Sequence, residues 1–258
     1  MNSVDIARAF VQQTFPDCKT AILAGSASRG EETDTSDLDI LVIVDKAPSV
    51  YEESLSAFGR EIDVLFYTHD ACLKLFKLEI QRRRPVVSHM CAQGIILKDL
   101  DGLAQQIQDE ARQVLQFGPH AMDPEELDLH RNELTDQLDD FIGSKDPYES
   151  HIVAFQVIFN AINIVLSYRR HWLGAGKWML REFQDCDPKL AQQCFAAMDS
   201  YYKYGQKADL IAFVEQALEL VGGRLDHIIH GQKELNPKKE LNPKKAASRK
   251  KDLLMSET

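Results

Sequence analysis

Hydrophobic and polar positions repeat with two different periods over the first 117 residues. Apolar residues recur at helical spacing in three segments, which are 3–15, 70–83 and 103–116. Short runs rich in β-branched and aromatic residues indicate four strands, at 20–25, 38–44, 61–67 and 94–98. Helices interleaved with strands in this way predict a domain in which helices pack on a sheet.

Beyond Phe117-Gly118-Pro119 the periodicity is helical throughout, and the glycine and proline there mark a domain boundary. The predicted helices span 124–142, 147–172, 176–184, 187–203 and 207–229. The apolar stretch 152–168 carries several amide side chains, so we interpret it as the buried helix of a soluble bundle, not a membrane span. The sequence therefore predicts a first domain of helices and strands over 1–117 and an all-α bundle over 118–230.

The segment 231–258 differs in composition from the rest of the chain. The hexapeptide Glu-Leu-Asn-Pro-Lys-Lys occurs there twice in tandem, at 234–239 and 240–245, and basic residues outnumber acidic ones. Dense charge with two prolines predicts a disordered basic tail. A solvated tail is the plainer interpretation, and a nucleic-acid-binding or self-docking arm is the alternative.

The net charge and the cysteine pattern restrict the binding partners and the cellular compartment that we expect for the protein. Its 258 residues include 30 Lys and Arg against 40 Asp and Glu, a formal charge of −10, which disfavours general binding to nucleic acid or to anionic membranes. Five scattered cysteines without a Cys-x-x-Cys pair predict reduced thiols. No signal-peptide pattern opens the chain. We expect a cytoplasmic protein with no membrane partner.

Acidic residues interrupt two of the predicted strands. Asp37 and Asp39 are two positions apart on one strand, so their side chains point to the same face. Two adjacent carboxylates repel each other, and a divalent cation relieves that repulsion; hard oxygen ligands suit Mg²⁺. Asp63, on another strand, is a candidate third metal ligand. The pattern predicts a magnesium site.

A turn between the first two predicted strands has the composition of a phosphate-binding loop. Gly25 permits close approach of backbone N–H groups to a phosphate, Ser26 adds a hydroxyl donor and Arg29 adds a guanidinium. Lys177, beside Trp178 at a predicted helix start, is a further candidate ligand of the phosphates; alternatively its stem covers the aromatic ring. The basic run 82–84 either attracts an anionic nucleotide or completes a helix C-terminus.

One motif resembles that of the nucleotidyltransferase superfamily that includes DNA polymerase beta. It consists of Gly25-Ser26, ten further residues, Asp37-Leu38-Asp39 and an acid on a later strand. The fuller pattern Gly-Ser-x-x-Arg-Gly…Ser-Asp-x-Asp is similar to small prokaryotic and aminoglycoside-modifying members, which carry a C-terminal helical domain. Segment 92–97 is similar to the strand that closes the catalytic domain in that superfamily. The resemblance covers residues 25–98, and it implies that the domain over 1–117 is an α+β catalytic domain built on a mixed sheet.

The resemblance implies an Mg²⁺-dependent enzyme that moves a nucleoside monophosphate, AMP from ATP, onto a hydroxyl of a small molecule and releases pyrophosphate. It implies that Asp37 and Asp39 hold the metal, that Asp63 binds a second metal or accepts the hydroxyl proton, and that Ser26 and Arg29 hold phosphates. Two alternatives stay open. The acceptor is a protein or tRNA, as in antitoxin-like members, or the chain is a nucleotide-binding regulator without turnover, which the intact acids disfavour.

The acceptor side of the site is the least determined part of the sequence. Segment 123–149 contains ten acidic residues against Arg131 and Lys145. Such a face, if it lines the cleft, attracts a cationic acceptor and offers Glu133 or Asp136 as a catalytic base; alternatively it is a solvated outer face. The sequence is compatible with either a monomer or a homodimer.

Overall fold

The structure is a computed structural model that describes residues 1–46 and 51–226, and its first half is built on a five-stranded mixed sheet. The strands are β1 (Thr20–Leu23), β2 (Leu38–Ile43), β3 (Tyr51–Ala57), β4 (Arg60–Tyr67) and β5 (Ile95–Asp99). Their order across the sheet is β3-β4-β2-β1-β5. The β2–β4 pair is parallel and the other neighbours are antiparallel. The predicted α+β class with a mixed sheet is confirmed.

Helices cover both faces of the sheet and form the second half of the described chain. They are α1 (Ser3–Thr14), α2 (Gly25–Arg29), α3 (His69–Arg82), α4 (Val86–Gln93), α5 (Leu103–Phe117), α6 (Pro124–Gly143), α7 (Pro147–Tyr168), α8 (Lys177–Cys186), α9 (Pro188–Tyr204) and α10 (Ala208–Leu220). Three of them begin with an Asp-Pro pair whose aspartate accepts a hydrogen bond from a backbone N–H of the first turn. The predicted helical second half is confirmed.

Three apolar clusters hold these elements together. One lies between the sheet and α1, around Phe10 and Ile40. Another lies on the opposite face, around Phe76 and Ile107. The third surrounds α7 in the helical half. By length and composition α7 is apolar enough to cross a membrane, and more than half of its most apolar stretch is buried within the protein. Successive strand residues contribute to the first two clusters in alternation, because side chains along a strand point to opposite faces of the sheet.

Several sequence predictions of secondary structure were wrong. Residues 25–29 form the short helix α2 where we expected a loop, and β3 and α4 were not predicted at all. β3 was not predicted because its sequence, Tyr-Glu-Glu-Ser-Leu-Ser-Ala, contains few apolar residues. An edge strand with one neighbour needs few of them. α4 escaped because Pro85 reads as a stop, whereas the buried Glu79 carboxylate accepts hydrogen bonds from Val87 N and Ser88 N and so caps a new helix.

Two predicted helices are shorter than expected. α7 ends at Tyr168, and α10 ends at Leu220 ahead of Gly222 and Gly223, both of which have positive φ. Residues 1–225 form one compact unit. The boundary near 117 stays a prediction. The predicted tail 231–258 lies outside the described residues, as do the last residues of the predicted 207–229 helix.

Arg83, at the end of α3, connects the sheet domain to the helical half of the chain through contacts with α6 and with the segment before α8. Its φ of 57° ends α3, and its guanidinium donates two hydrogen bonds to Glu126 of α6, at 2.6 and 2.8 Å. Its carbonyl accepts a hydrogen bond of 2.6 Å from Leu173 N. A bidentate charge-assisted pair fixes orientation as well as distance. The segment that leads into α8 is thereby held against the end of α3.

Candidate active site

Gly25 brings the turn after β1 directly against the acidic strand. Its φ is +68°, and a Cβ built there would lie 1.8 Å from Oδ2 of Asp39. The backbone of the neighbouring Ala24 donates a 2.7 Å hydrogen bond to the carbonyl of Asp39. A side chain at position 25 would therefore collide with the carboxylate, and glycine is required both for conformation and for space.

The three predicted acids come together on the parallel pair β2–β4. Asp39 lies directly opposite Asp63 in the register of these strands, and Asp37 comes two positions before Asp39. Burial, followed by the negative charges of Asp37 and Asp63, raises the pKa of Asp39 to about 6. Asp63 accepts a 2.6 Å hydrogen bond from Oγ of Ser54. The acids thus repel one another at a half-buried position.

Among the described residues, no group of three or more His, Cys, Asp and Glu side chains is placed so that it could hold a metal ion. The acids nevertheless supply an oxygen-only donor set, and the Asp39 carboxylate receives no hydrogen bond from the described part of the chain. Among the groups that shift its pKa, only Arg29 favours the charged carboxylate, and the net shift is upward, so its charge is incompletely balanced within the protein. Carboxylate oxygens of this kind fit a hard divalent cation such as Mg²⁺.

Arg60 fixes the loop that delivers Asp37 to β2. Its guanidinium donates a 2.9 Å hydrogen bond to the carbonyl of Ser36 and a 3.2 Å bond to Oγ of Ser3 on α1. The same side chain forms an ion pair with Glu32. Loop, helix and strand are thereby tied together immediately before the acid pair, and this limits the positions that Asp37 can take.

A cleft of about 340 Å³ opens above these residues. One wall consists of Gly25, Ser26, Arg29, Asp37 and Asp39; the other consists of Arg84, Pro85, Val86, His89, Met90, Leu173, Gly174, Ala175, Lys177, Trp178 and Glu182. Six of the seven predicted site residues therefore line one cleft, and Asp63 lies beside it as the strand partner of Asp39. Sequence reasoning missed most of the second wall.

The basic run 82–84 separates into three different roles. Arg82 ends α3 and is absent from the cleft, and Arg83 is committed to Glu126. Arg84 is exposed on the cleft wall, as is Lys177 at the start of α8. Neither Arg84 nor Lys177 has an ion-pair partner within the described ranges. Two unpaired cations thus face the acid pair.

Glu182 is the third acid on the cleft lining, and its charge is already balanced. It accepts a 3.1 Å hydrogen bond from Nε2 of His89 and forms an ion pair with Nδ1 of His171 at 3.2 Å. Burial raises the pKa of Glu182, but the two histidine contacts outweigh it and the net shift is downward. The contact with Glu182 raises the pKa of His171. Asp37 and Asp39 are left as the uncompensated acids of the cleft.

The acidic segment 123–149 contributes no residue to the lining of this cleft. Glu126 is bound to Arg83, and Asp123 and Asp146 cap helices. The candidate bases Glu133 and Asp136 are exposed on α6, away from the lining. The structure therefore does not bring these two residues together with the predicted site.

A Gly-Ser turn against paired strand carboxylates, in a cleft with unpaired cations, suits a metal ion beside a polyphosphate. Residues 4–89 match the family model of the nucleotidyltransferase domain, a segment that holds the turn and all three acids. The chain thus carries a nucleotidyltransferase domain, and this domain supports nucleotidyl transfer from a nucleoside triphosphate as its general reaction.

Comparison with other proteins adds little beyond this domain. The chain is similar to the solved structure of a nucleotidyltransferase-like protein from Exiguobacterium sibiricum 255-15. The two share 12% identity, with a TM-score of 0.43 over 84% of this chain and 73% of that chain, and at this distance the likeness carries no argument. No curated protein matches the sequence.

Proposed function

We propose that the protein transfers AMP from ATP, in the presence of Mg²⁺, to a hydroxyl of a small-molecule acceptor and releases pyrophosphate. The observation that carries this proposal is the position of Asp39, which lies against Gly25 and opposite Asp63 in one cleft with Arg29 and Lys177. Binding groups for a metal and for a polyphosphate are thus side by side, as the reaction requires.

Asp37 and Asp39 would hold the magnesium. Mutual repulsion and the raised pKa of Asp39 both favour a bound cation. When bound, Mg²⁺ neutralises negative charge on the phosphates and on the departing pyrophosphate. Because a glycine stands at position 25, the backbone of the turn can pack directly against the Asp39 carboxylate.

Side chains of both walls would bind and orient the triphosphate. Ser26 offers a hydroxyl donor and Arg29 a guanidinium from one wall, and Lys177 and Arg84 offer charge from the other. Cations on opposite sides of a polyphosphate restrict its rotation and so align the α-phosphorus with the attacking oxygen.

The acceptor hydroxyl oxygen forms a bond to the α-phosphorus while the bond from that phosphorus to the bridging oxygen breaks. The bridging oxygen leaves with pyrophosphate, and the hydroxyl proton passes to a base. Asp63 is the residue we assign as this base. One of its carboxylate oxygens accepts from Ser54, which leaves the other without a donor in the described part of the chain.

The second wall favours an acceptor with a neutral or apolar body. Val86, Met90 and Leu173 line it together with Trp178, and the ten acids of 123–149 lie elsewhere. Nothing on the lining therefore offers several negative charges to a polycation once Asp37 and Asp39 are engaged by metal. This revises the expectation of a cationic acceptor.

The test is pyrophosphate release from each of the four nucleoside triphosphates with Mg²⁺. Acceptors are a panel of aminoglycosides, lincosamides, tRNA, and the small-molecule and protein fractions of a cell extract. Acceptor-dependent release from ATP with a small molecule, absent from an Asp37→Ala/Asp39→Ala variant and retained by Asp45→Ala, supports the proposal. Asp45 is the matched control because it is an exposed aspartate outside the cleft. Release only with tRNA or protein, or tight ATP binding with no release on any acceptor, overturns it.

A further inference from the structure

Arg29 is held in place by residues outside its own short helix. Its Nε donates a 3.1 Å hydrogen bond to Oε2 of Glu31, and its guanidinium carbon lies 5.1 Å from the centre of the Trp178 ring. No other hydrogen bond to this guanidinium occurs among the described residues. Its two terminal nitrogens are therefore available to a ligand, in the forked geometry that suits phosphate oxygens.

Helix α8 supplies the other half of this arrangement. Arg181 donates from Nη2 to the same Oε2 of Glu31 at 2.9 Å, and its guanidinium carbon lies 4.9 Å from the Trp178 ring. Glu31 thus bridges Arg29 and Arg181, and its pKa is lowered, chiefly by the hydrogen bond from Arg29. Two cations share one carboxylate and one aromatic ring.

His89 fixes the ring that both arginines contact. Its imidazole stacks on Trp178 with 4.8 Å between ring centres and 22° between planes, and its Nε2 is bound to Glu182. The indole is therefore anchored through α4 and through a buried glutamate of α8. An aromatic ring fixed in this way restricts the rotamers of a cation that packs against it.

We propose that Trp178 and Arg181, with Glu31 between the two arginines, are positioning residues that hold Arg29 for the triphosphate. Helix α8 then acts on the nucleotide in two ways, directly through Lys177 and indirectly through Arg29. An arginine that is already oriented loses less side-chain freedom when a phosphate binds, so binding is tighter. This inference rests on the proposed function, in which Arg29 is a phosphate ligand.

The test is a double-mutant cycle on nucleotide binding, measured by calorimetry with Mg²⁺ and α,β-methylene-ATP and without acceptor. We expect Arg29→Gln to weaken binding about tenfold or more, and Trp178→Leu about threefold to tenfold. Trp178→Phe keeps the ring and is expected to stay within about twofold of the wild type. The double variant Arg29→Gln/Trp178→Leu is expected to bind no more weakly than Arg29→Gln alone, because Trp178 acts through Arg29.

A second cycle uses Arg29→Gln with Arg181→Gln, since Arg181 is partly exposed and its loss does not open the apolar core. Coupling is again expected, and the thermal midpoints show whether each variant is folded. Fully additive losses in both cycles, or wild-type binding by Trp178→Leu and Arg181→Gln, overturn the positioning role. Absence of binding by the wild-type protein instead overturns the proposed function itself.

Discussion

Replacement of Asp39 by asparagine should stabilise the metal-free protein while it abolishes turnover. The carboxylate is half-buried, faces Asp37 and Asp63, and receives no hydrogen bond from the described part of the chain. Asparagine has nearly the same shape, removes the charge, and breaks no hydrogen bond. The folded protein is therefore relieved of an electrostatic cost that the unfolded chain does not bear.

The size of the effect follows from the pKa of about 6, against an ordinary value of 3.8. Each pH unit between these values corresponds to about 1.4 kcal/mol, so the full cost is about 3 kcal/mol. Because Asp39 is only partly buried, solvent screening reduces the expected gain to about 1–2 kcal/mol. For a protein of this size that is a rise in Tm of about 2–8 °C.

The dependence on pH has a definite sign. The folded pKa lies above the unfolded value, so between about pH 4 and pH 6 the folded protein keeps a proton that the unfolded chain has released. The wild type loses stability as the pH rises through this window, whereas Asp39→Asn does not. The difference in Tm between the two is therefore expected to grow from nil near pH 4 to its full size above pH 7.

Thermal unfolding in EDTA, from pH 4 to pH 8, measures this difference. Asp45→Asn is the control and should show no gain, because Asp45 is exposed and forms its ion pair with Lys19. Added Mg²⁺ is expected to raise the Tm of the wild type and to leave Asp39→Asn almost unchanged. An Asp39→Asn protein that is no more stable than the wild type at pH 7.5 in EDTA refutes the reasoning.

Three further outcomes follow from the same geometry. Gly25 and Gly30 share a φ of +68°, but a Cβ at Gly30 would meet nothing within 4 Å, whereas one at Gly25 would collide with Asp39. Gly30→Ala should therefore lower the free energy of unfolding by about 1 kcal/mol and leave kcat unchanged. Gly25→Ala should lower kcat/KM about 100-fold or more. Arg84→Gln should raise KM for ATP about tenfold, whereas Arg82→Gln should leave it unchanged, because Arg82 does not line the cleft. Equal effects of the two substitutions would contradict the role of Arg84 in binding the triphosphate. Glu182→Gln should lower the free energy of unfolding in urea by about 2–4 kcal/mol at pH 6, and the loss should shrink as the pH rises through the raised pKa of His171; a pH-independent loss would count against an ionic role.

The first wall of the site could be predicted because its geometry is local in sequence. Asp37 and Asp39 share a face by the period of a strand, and Gly25 and Ser26 come directly after a buried strand. Asp63 required one assumption, that its strand lies beside β2, and the parallel register of β2 and β4 places it opposite Asp39. Periodicity and residue type were sufficient for these placements.

The second wall depends on contacts between residues far apart in the chain. The hydrogen bond from Leu173 N to the Arg83 carbonyl and the pair between Arg83 and Glu126 place α8 beside the cleft. No local pattern encodes either contact. α4 was missed for a related reason, since its first N–H groups are capped by Glu79 from the preceding helix, not by a residue in front of it.

Net charge also proved a poor guide to the site. The chain carries −10, yet Arg29, Arg84 and Lys177 line the cleft, and the acids that dominate the composition lie outside it. At physiological ionic strength a charge acts over about 8 Å, so a polyphosphate in the cleft experiences its lining much more than the distant surface of α6. Acidic surfaces beyond that distance repel a nucleotide only weakly. A strongly acidic protein can therefore bind a polyanion at a site where one acid is paired with histidines and the other two are adjacent and available to a cation.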